Sequence, residues 1–157
     1  MPRRGSPARD RVRPPVNDLV NARVDGFTVE VPGRDSELGR VRRCLGGWLG
    51  AQGVAHGLAT DVLLAVDEAM ANSVEHGYRD TEGGHVRVTA TIGGPHLTVT
   101  VADHGCWRPP RFDPAAHRGR GLDIMRALAD TVTVDTTDGT TVTLVLPLPE
   151  VPDATRE

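Results

Sequence analysis

The chain has 157 residues, of which 38% are hydrophobic and 25% charged, and its formal net charge is −3 at pH 7. This length fits one domain with its own core and leaves no room for a second enzyme domain. All 18 basic residues are arginine, which excludes a lysine-dependent phosphate loop or a Schiff base, and the near-neutral charge gives no indication of direct nucleic-acid binding.

The two ends of the chain are predicted to be flexible. Residues 1–24 are rich in arginine, proline and glycine and have few large apolar side chains, so burial cannot offset the entropy of ordering them. We predict a disordered tail there, a folded domain over residues 25–149 and a second flexible tail over residues 150–157. The folded part begins with a strand at FTVEV, residues 27–31, where apolar and polar side chains alternate.

A first helix follows this strand. Its apolar stripe runs from Leu38 to Leu49 and is flanked by Trp48, and Asp35 or Ser36 is predicted to cap its N-terminus. The glycines of the segment make it a weak helix by propensity, because each one costs up to about 1 kcal/mol relative to alanine.

A second helix is predicted at LLAVDEAMANSVEHGY, residues 63–78, which combines an apolar face with an unusual number of polar groups. Glu68 and Asn72 lie four residues apart, so they stack one turn apart on one face. Asp67 and Glu75 are predicted to be solvated surface charges. The core-facing positions are predicted to be Val62, Val66, Met70 and Val74.

A hairpin and a long loop come next. Apolar and polar residues alternate over residues 86–92 and again over 97–101, on either side of a turn at Gly93, Gly94 and Pro95, which predicts a hairpin with one buried face. Residues 103–120 are rich in glycine, proline, arginine and histidine and follow neither period. Long irregular loops within compact domains are usually functional or mobile.

The chain ends with a third helix and a second hairpin. The helix is predicted over residues 122–128, and the strands over 132–135 and 142–146, joined through Asp138 and Gly139. This order of elements predicts an α+β fold, a two-layer α/β sandwich with helices on one face of a mixed, mainly antiparallel sheet.

The number of cysteines and the hydropathy of the chain indicate the cellular compartment of the protein. Cys44 and Cys106 are too few for a disulfide scaffold and lack metal-ligand spacing, which predicts reduced thiols. No apolar run approaches the roughly 20 residues of a membrane-spanning helix, and the N-terminus has no apolar segment typical of a signal peptide. We therefore predict a cytoplasmic protein with no membrane partner.

Two polar motifs could take part in chemistry. In the second helix, the Glu68 carboxylate can accept a proton and the Asn72 amide oxygen is a hard ligand suited to Mg²⁺, although both residues also fit the solvated face of an amphipathic helix. At the end of a strand, Asp103 can accept a hydrogen bond from an amine or ring N–H, and Gly105 would allow a flat ligand to approach the backbone. An Asp followed by Gly is also a common turn.

Two further motifs contain glycine. Gly119 and Gly121, interleaved with Arg118 and Arg120, precede a helix, where free backbone N–H groups, the helix dipole and guanidinium groups favour an anion. A flexible connection with solvated arginines is the alternative. At the start of the last strand, GTT at residues 139–141 provides a hydroxyl that could hydrogen-bond a base, or forms only a turn.

The order and spacing of these motifs resemble the Bergerat-type ATP-binding fold of DNA gyrase, related heat-shock chaperones, sensor histidine kinases and mismatch-repair ATPases, the GHKL superfamily. EAMAN at residues 68–72, continued by HG at 76–77, resembles its N-box. DHG at residues 103–105 resembles its adenine box, and GRGL at 119–122 its phosphate loop. Within the superfamily, EAMANSVEHGY and GRGLDIM are most similar to the anti-sigma-factor serine kinases of the RsbW and SpoIIAB type, over about residues 27–148.

This resemblance implies an ATP- and Mg²⁺-dependent serine/threonine protein kinase. Glu68 would be the general base that takes the proton of a serine hydroxyl, and Asn72 would hold the Mg²⁺. Asp103 would accept the adenine amino group, with Gly105 beneath the ring and Thr141 assisting through its hydroxyl or a water.

The resemblance also implies a phosphate site and partners. Gly119, Arg120, Gly121 and Leu122 would wrap the phosphates. The substrate would be a STAS-domain anti-anti-sigma factor, and the protein would restrain a sigma factor when unphosphorylated partner is scarce, with pairing into a homodimer left open. The alternative function is a non-catalytic ATP-binding regulatory module that gates protein–protein binding.

Overall fold

The computed structural model describes residues 20–22, 26–77, 84–104 and 121–150. In these ranges, one sheet is covered on one face by helices. The helices are α1 (Leu38–Ala51), α2 (His56–Asn72) and α3 (Gly121–Leu128). The strands are β1 (Val20–Ala22), β2 (Gly26–Pro32), β3 (His85–Gly93), β4 (His96–Asp103), β5 (Thr131–Asp135) and β6 (Thr140–Pro147).

The sheet has the order β1-β2-β3-β4-β6-β5, and every neighbouring pair is antiparallel. The predicted α+β two-layer sandwich is therefore confirmed, and in the described part the sheet is antiparallel throughout rather than mixed. Helix α3 lies between β4 and β5 in sequence, whereas β6 lies between them in space. The last strand thus enters the sheet beside β4, which brings the start of β6 next to the end of β4.

The core lies between the sheet and the helices. Alternate residues of β2, β3, β4 and β6 are buried against them, as the alternating patterns predict, except that Ile92 near the end of β3 is half-buried. Helix α1 contributes Val41, Leu45, Trp48 and Leu49, and α2 contributes Val62, Val66 and Met70 among others. Trp48 belongs to this core rather than to its flank, because it is 5% exposed and its ring centroid lies 6.0 Å from that of Phe27.

The face of the sheet that none of the described helices covers is rich in threonine. One row crosses five strands in direct register and consists of Thr28, Thr89, Thr100, Thr143 and Thr133. The hydroxyls of Thr89 and Thr100 are hydrogen-bonded to each other. Threonine favours strands because its branched side chain packs on the pleated surface, so this face explains why the strands alternate threonine with valine and leucine.

Strand β1 is a departure from the predicted tail. Val20–Ala22 pair antiparallel with Phe27–Val29 of β2, within the segment predicted to be disordered. Such pairing at a sheet edge is made by backbone hydrogen bonds, and therefore does not need the large apolar side chains whose scarcity predicted disorder. The rest of that tail, apart from residues 20–22, lies outside the described residues, as do residues 151–157 of the second tail.

The predicted side-chain cap of α1 is wrong. The chain enters the helix through a 3₁₀ turn over Asp35–Glu37, and neither Arg34 before this turn nor Glu37 before α1 makes a side-chain capping bond. Asp35 and Glu37 instead lie in the first turn, where their negative charge is favourable near the positive end of the helix dipole.

Asp67 is not a free surface charge, contrary to the prediction. Its Oδ2 accepts a hydrogen bond from Arg42 Nε at 2.9 Å and lies 2.8 Å from Arg42 Nη2 in the same ion pair, which joins α2 to α1. The Asp67 and Arg42 side chains are 24% and 51% exposed, so the pair is expected to contribute at most about 1 kcal/mol. Glu75 is half-buried.

Replacing Gly47 in α1 with alanine is expected to stabilise the protein by up to about 1 kcal/mol, because alanine has the higher helix propensity. Gly47 is exposed, and a Cβ there would meet no atom within 4 Å. Urea denaturation measures the change. Gly46→Ala is the matched comparison, since its Cβ would lie 3.4 Å from Leu63 Cδ1. A lower midpoint for Gly47→Ala than for the wild type would contradict the prediction.

Candidate functional site

Glu68 and Asn72 lie on one flank of α2, and both are half-buried. Helix α1 lies on the other flank, where Asp67 pairs with Arg42 and Leu63 faces Gly46. Because successive residues turn by about 100°, Glu68 is about 140° and Asn72 about 180° around the helix from Leu63. The two polar side chains therefore point away from α1. In addition to α1, helix α2 packs against β4 and α3.

Helix α2 ends at Asn72, and the chain continues directly into a wider π-helical turn, Ser73–Gly77. Ser73 is buried, and its Oγ donates a hydrogen bond to the carbonyl oxygen of Ala69 at 3.1 Å. Single π-helical turns within α-helices often occur at functional sites. The turn thus begins directly after the residue that the sequence analysis selects as a metal ligand.

Asp103 is a buried carboxylate at the end of β4. It is 3% exposed and lies directly opposite Thr140 of β6, which is 5% exposed. Both residues extend the helix-covered rows of their strands, so an apolar row ends in a carboxylate with a hydroxyl beside it. A carboxylate so buried is stable only with hydrogen-bond partners. This pair can accept and donate hydrogen bonds at the edge of the layer that α2 covers.

The turn before β6 packs directly on the end of β4. Gly139 has φ of +72°, and a Cβ at this position would lie 2.0 Å from the Asp103 carbonyl oxygen and 2.6 Å from the His104 Cα. Only glycine combines this backbone conformation with such a close approach. The Gly-Thr motif and the Asp-His-Gly motif, 36 residues apart in sequence, are thereby held together by backbone packing.

Thr141, which is predicted to assist at the adenine, lies opposite Ala102. Its side chain is therefore on the threonine-rich face of the sheet, whereas Asp103 is on the helix-covered face. Thr140 is the residue that shares the face of Asp103, and it is not among the predicted site residues. The alternation of faces along a strand could have indicated it, because Thr140 lies an even number of residues from the apolar residues Val142, Leu144 and Leu146 and therefore shares their face.

The phosphate-loop motif is only partly described. Helix α3 begins at Gly121, and the side chain of Leu122 packs against the core, so a contact of Leu122 with phosphate would use its backbone N–H. Gly119 and Arg120 lie outside the described residues, as does Gly105 of the adenine-box motif.

Comparison with known proteins identifies the family. Residues 31–146 match the histidine kinase-like ATPase domain, which is well over half of the chain. The chain belongs to this family. The crystal structure of the RsbU and RsbW domains of a Mycobacterium tuberculosis protein is similar in fold, with a TM-score of 0.61 and 26% identity. The similarity covers 79% of this chain and 33% of the solved one, so this chain spans about a third of that protein.

Curated relatives of this histidine kinase-like ATPase domain are kinases and anti-sigma factors. The chain is 30% identical to the serine-protein kinase RsbW of Bacillus velezensis, over 80% of this chain and 87% of the relative. It is 34% identical to the anti-sigma F factor of Clostridium beijerinckii, over 50% of this chain and 62% of the relative. These relatives confirm the predicted class, a protein serine kinase of the anti-sigma-factor type.

A metal site for this ATPase domain would depend on the nucleotide. Within residues 20–22, 26–77, 84–104 and 121–150, no group of three or more His, Cys, Asp or Glu side chains could hold a metal ion. Mg²⁺ in nucleotide sites usually takes one or two protein oxygens together with phosphate oxygens and waters. The half-buried Asn72 amide fits that smaller requirement.

Within the described ranges of the chain, no helix is both long and apolar enough to span a bilayer.

Proposed function

We propose that this protein transfers the γ-phosphoryl group of ATP, with Mg²⁺, to a serine of a STAS-domain anti-anti-sigma factor in the cytoplasm. The observation that carries the proposal is the buried pair of Asp103 and Thr140 at the end of β4, the strand against which α2 packs. Helix α2 presents Glu68 and Asn72 on the flank away from α1. The end with Asp103 and Thr140 thus suits the adenine base of ATP. The end with Glu68 and Asn72 suits the phosphates and the phosphoryl transfer.

The adenine end would be formed by Asp103 and Thr140. The Asp103 carboxylate would accept a hydrogen bond from the exocyclic amino group, and the Thr140 hydroxyl would bond a ring nitrogen or a bridging water. Thr140 would take the role predicted for Thr141. A buried acceptor discriminates between nucleobases, because a nucleobase without the amino group cannot make this hydrogen bond. Gly105 would allow the ring to lie against the backbone.

The phosphate end would combine Asn72 with the segment before α3. The Asn72 amide oxygen would be the protein ligand of Mg²⁺, which supplies charge neutralisation on the transferring phosphoryl group. Gly119, Arg120 and Gly121, with the backbone N–H of Leu122, would bind the phosphates at the N-terminus of α3. Phosphoryl transfer depends mainly on this positioning and electrostatic stabilisation.

Glu68 would be the general base that accepts the proton of the serine hydroxyl. The substrate serine Oγ attacks the γ-phosphorus, the bond between that phosphorus and the bridging oxygen of the β-phosphate breaks, and ADP leaves. The proton of the serine hydroxyl passes to the Glu68 carboxylate, which is half-buried and one helical turn from Asn72. A positioned base of this kind contributes typically about 10²- to 10⁴-fold to the rate.

The regulatory part of the proposal concerns partners. The protein would bind and restrain a sigma factor when unphosphorylated anti-anti-sigma factor is scarce. The name of one relative, anti-sigma F factor, supports the sigma-factor part of this role. Pairing of two copies into a homodimer belongs to the same proposal.

The proposal is tested by phosphoryl transfer to a purified STAS-domain partner with labelled ATP and Mg²⁺. We expect phosphoserine to form with the wild type. Asp103→Asn is expected to raise the ATP concentration for half-maximal rate about ten- to hundredfold, because a neutral amide accepts a weaker hydrogen bond than a carboxylate and replaces one oxygen with an NH₂ donor. Asp135→Asn, at an exposed aspartate on β5, is the matched control and should leave that concentration within about twofold, because the amide oxygen can still accept the hydrogen bond from the Thr137 N–H.

Two results would overturn the kinase proposal. The first is a wild type that forms no more phosphoserine than Glu68→Ala. The second is an unchanged ATP dependence in Asp103→Asn. Retained binding of ATP and of the partner, without any phosphate transfer by the wild type, would instead support the non-catalytic regulatory module.

A further inference from the structure

Ser73 is a buried hydroxyl that the proposed chemistry does not use. It is 7% exposed, and it follows Asn72 at the point where α2 passes into the π-helical turn Ser73–Gly77. A π-helical turn is rare in proteins and occurs mostly as a single turn within an α-helix. A polar side chain at its first residue is therefore a candidate for holding the turn in place.

The hydrogen bonds of Ser73 show how it could do so. Its Oγ donates to the carbonyl oxygen of Ala69 at 3.1 Å, and its backbone N–H is shared between the carbonyl oxygens of Ala69 and Met70. A serine hydroxyl that bonds the carbonyl four residues earlier competes with the backbone and often bends a helix. The regular hydrogen-bond ladder therefore loosens at Ser73, and the hydroxyl ties the last α-helical turn to the first residue of the wider one.

The boundary between the two kinds of helix determines where Asn72 points. As far as Asn72, the helix turns by about 100° per residue, which places this side chain one turn beyond Glu68 on the same flank. If the boundary moved toward the N-terminus, the wider turn would include Asn72 and rotate its amide away from that flank. The bond from Ser73 to Ala69 opposes this movement because it spans the turn that contains Asn72.

We propose that Ser73 is a positioning residue whose hydroxyl fixes this boundary and thereby holds the Asn72 amide in the orientation that binds Mg²⁺ with ATP. The inference rests on the proposed function, because it assigns Asn72 to the metal. Helix α2 contains a natural comparison. Thr60 Oγ1 donates to the His56 carbonyl oxygen at 2.9 Å, the same type of bond, but it is exposed and lies about 20 Å away along the helix.

The test is calorimetric titration with ATP, once with Mg²⁺ and once with EDTA. Ser73→Ala is expected to weaken ATP binding about tenfold with Mg²⁺, as is usual when the support of a metal ligand is lost, and to leave binding in EDTA within about twofold. Ser73→Thr keeps the hydroxyl and should restore most of the Mg²⁺-dependent affinity. Thr60→Ala should leave both affinities within about twofold.

A second measurement does not depend on nucleotide. Amide hydrogen exchange in residues 73–77 should be faster in Ser73→Ala than in the wild type, and unchanged in Thr60→Ala, because local opening is what exchange reports. Ser73→Cys, which keeps the side-chain volume with a weaker donor, should give an intermediate result and serves if the alanine variant does not fold.

Each contrary result has its own meaning. Unchanged Mg²⁺-dependent affinity in Ser73→Ala, with a wild type that binds ATP, overturns the positioning role and leaves the nucleotide site intact. Equal losses with Mg²⁺ and with EDTA also overturn it, because they indicate a general structural effect. A wild type that does not bind ATP overturns the proposed function, and the role of Ser73 falls with it.

Discussion

Replacing Gly139 with alanine is expected to lower the free energy of unfolding by about 2–6 kcal/mol. The residue has φ of +72°, and the added Cβ would lie 2.0 Å from the Asp103 carbonyl oxygen. An unfavourable backbone conformation costs about 1–3 kcal/mol, and forcing atoms into a packed region costs about as much again. The contacted atoms belong to the backbone of β4, so they cannot move aside as a flexible side chain would. Urea denaturation of both proteins measures the difference.

Gly53→Ala separates the two contributions. Gly53 has almost the same backbone conformation, with φ of +74°, but a Cβ there would meet no atom within 4 Å. It should therefore show the conformational cost alone, about 1–2 kcal/mol. If Gly139→Ala loses no more stability than Gly53→Ala, the close packing of the turn before β6 on Asp103 is contradicted. If the packing is correct, the excess loss should be accompanied by weaker ATP binding, because Asp103 must move.

Local patterns were sufficient to predict most of the fold. The alternation of apolar and polar residues in β2, β3, β4 and β6 depends only on which face of each strand is buried. A period of two residues in the sequence therefore predicts the buried face directly. The apolar stripe of α2 records its core face in the same way. The α+β sandwich then follows from the order of the elements, since helices and sheet must bury these faces against each other.

Features that depend on partners distant in sequence could not be predicted. Asp67 was assigned to solvent, but it pairs with Arg42, which is 25 residues earlier and on another helix. Strand β1 is paired through backbone groups, which have no side-chain signature. The choice between Thr140 and Thr141 is different in kind, because a shift of one residue along a strand moves a side chain to the other face, and two adjacent threonines look alike in a motif.

The site was predicted best where one element carries the whole pattern. Glu68 and Asn72 are four residues apart on one helix, so helix geometry alone places them on a common flank. The relation between Asp103 and Thr140 requires the register of two strands and could be read only from the sheet. The π-helical turn at Ser73 was likewise not predicted, because apolar periodicity continues through it while its hydrogen bonds change.

Glu68→Gln is expected to slow phosphoryl transfer to the partner serine about 10²- to 10⁴-fold, the usual contribution of a positioned general base. Glutamine keeps the size and hydrogen-bonding capacity of the half-buried side chain but cannot take the proton of the serine hydroxyl. The affinity for ATP should stay within about twofold, because Glu68 is assigned no contact with the nucleotide. Single-turnover formation of phosphoserine and calorimetric ATP binding measure the two quantities separately.

Asp61→Asn is the matched control for this variant. Asp61 is a half-buried carboxylate seven residues before Glu68, so it lies two turns earlier on the same flank of α2. Its loss should leave the transfer rate within about twofold, since general acid–base catalysis requires a group within hydrogen-bond reach of the proton. Equal slowing by both variants would indicate a general effect of charge on this flank. A loss of ATP affinity in Glu68→Gln without a loss of rate would contradict the role of general base and assign Glu68 to ATP binding. Slow transfer with unchanged ATP binding would support a role of this flank of α2 in the chemical step.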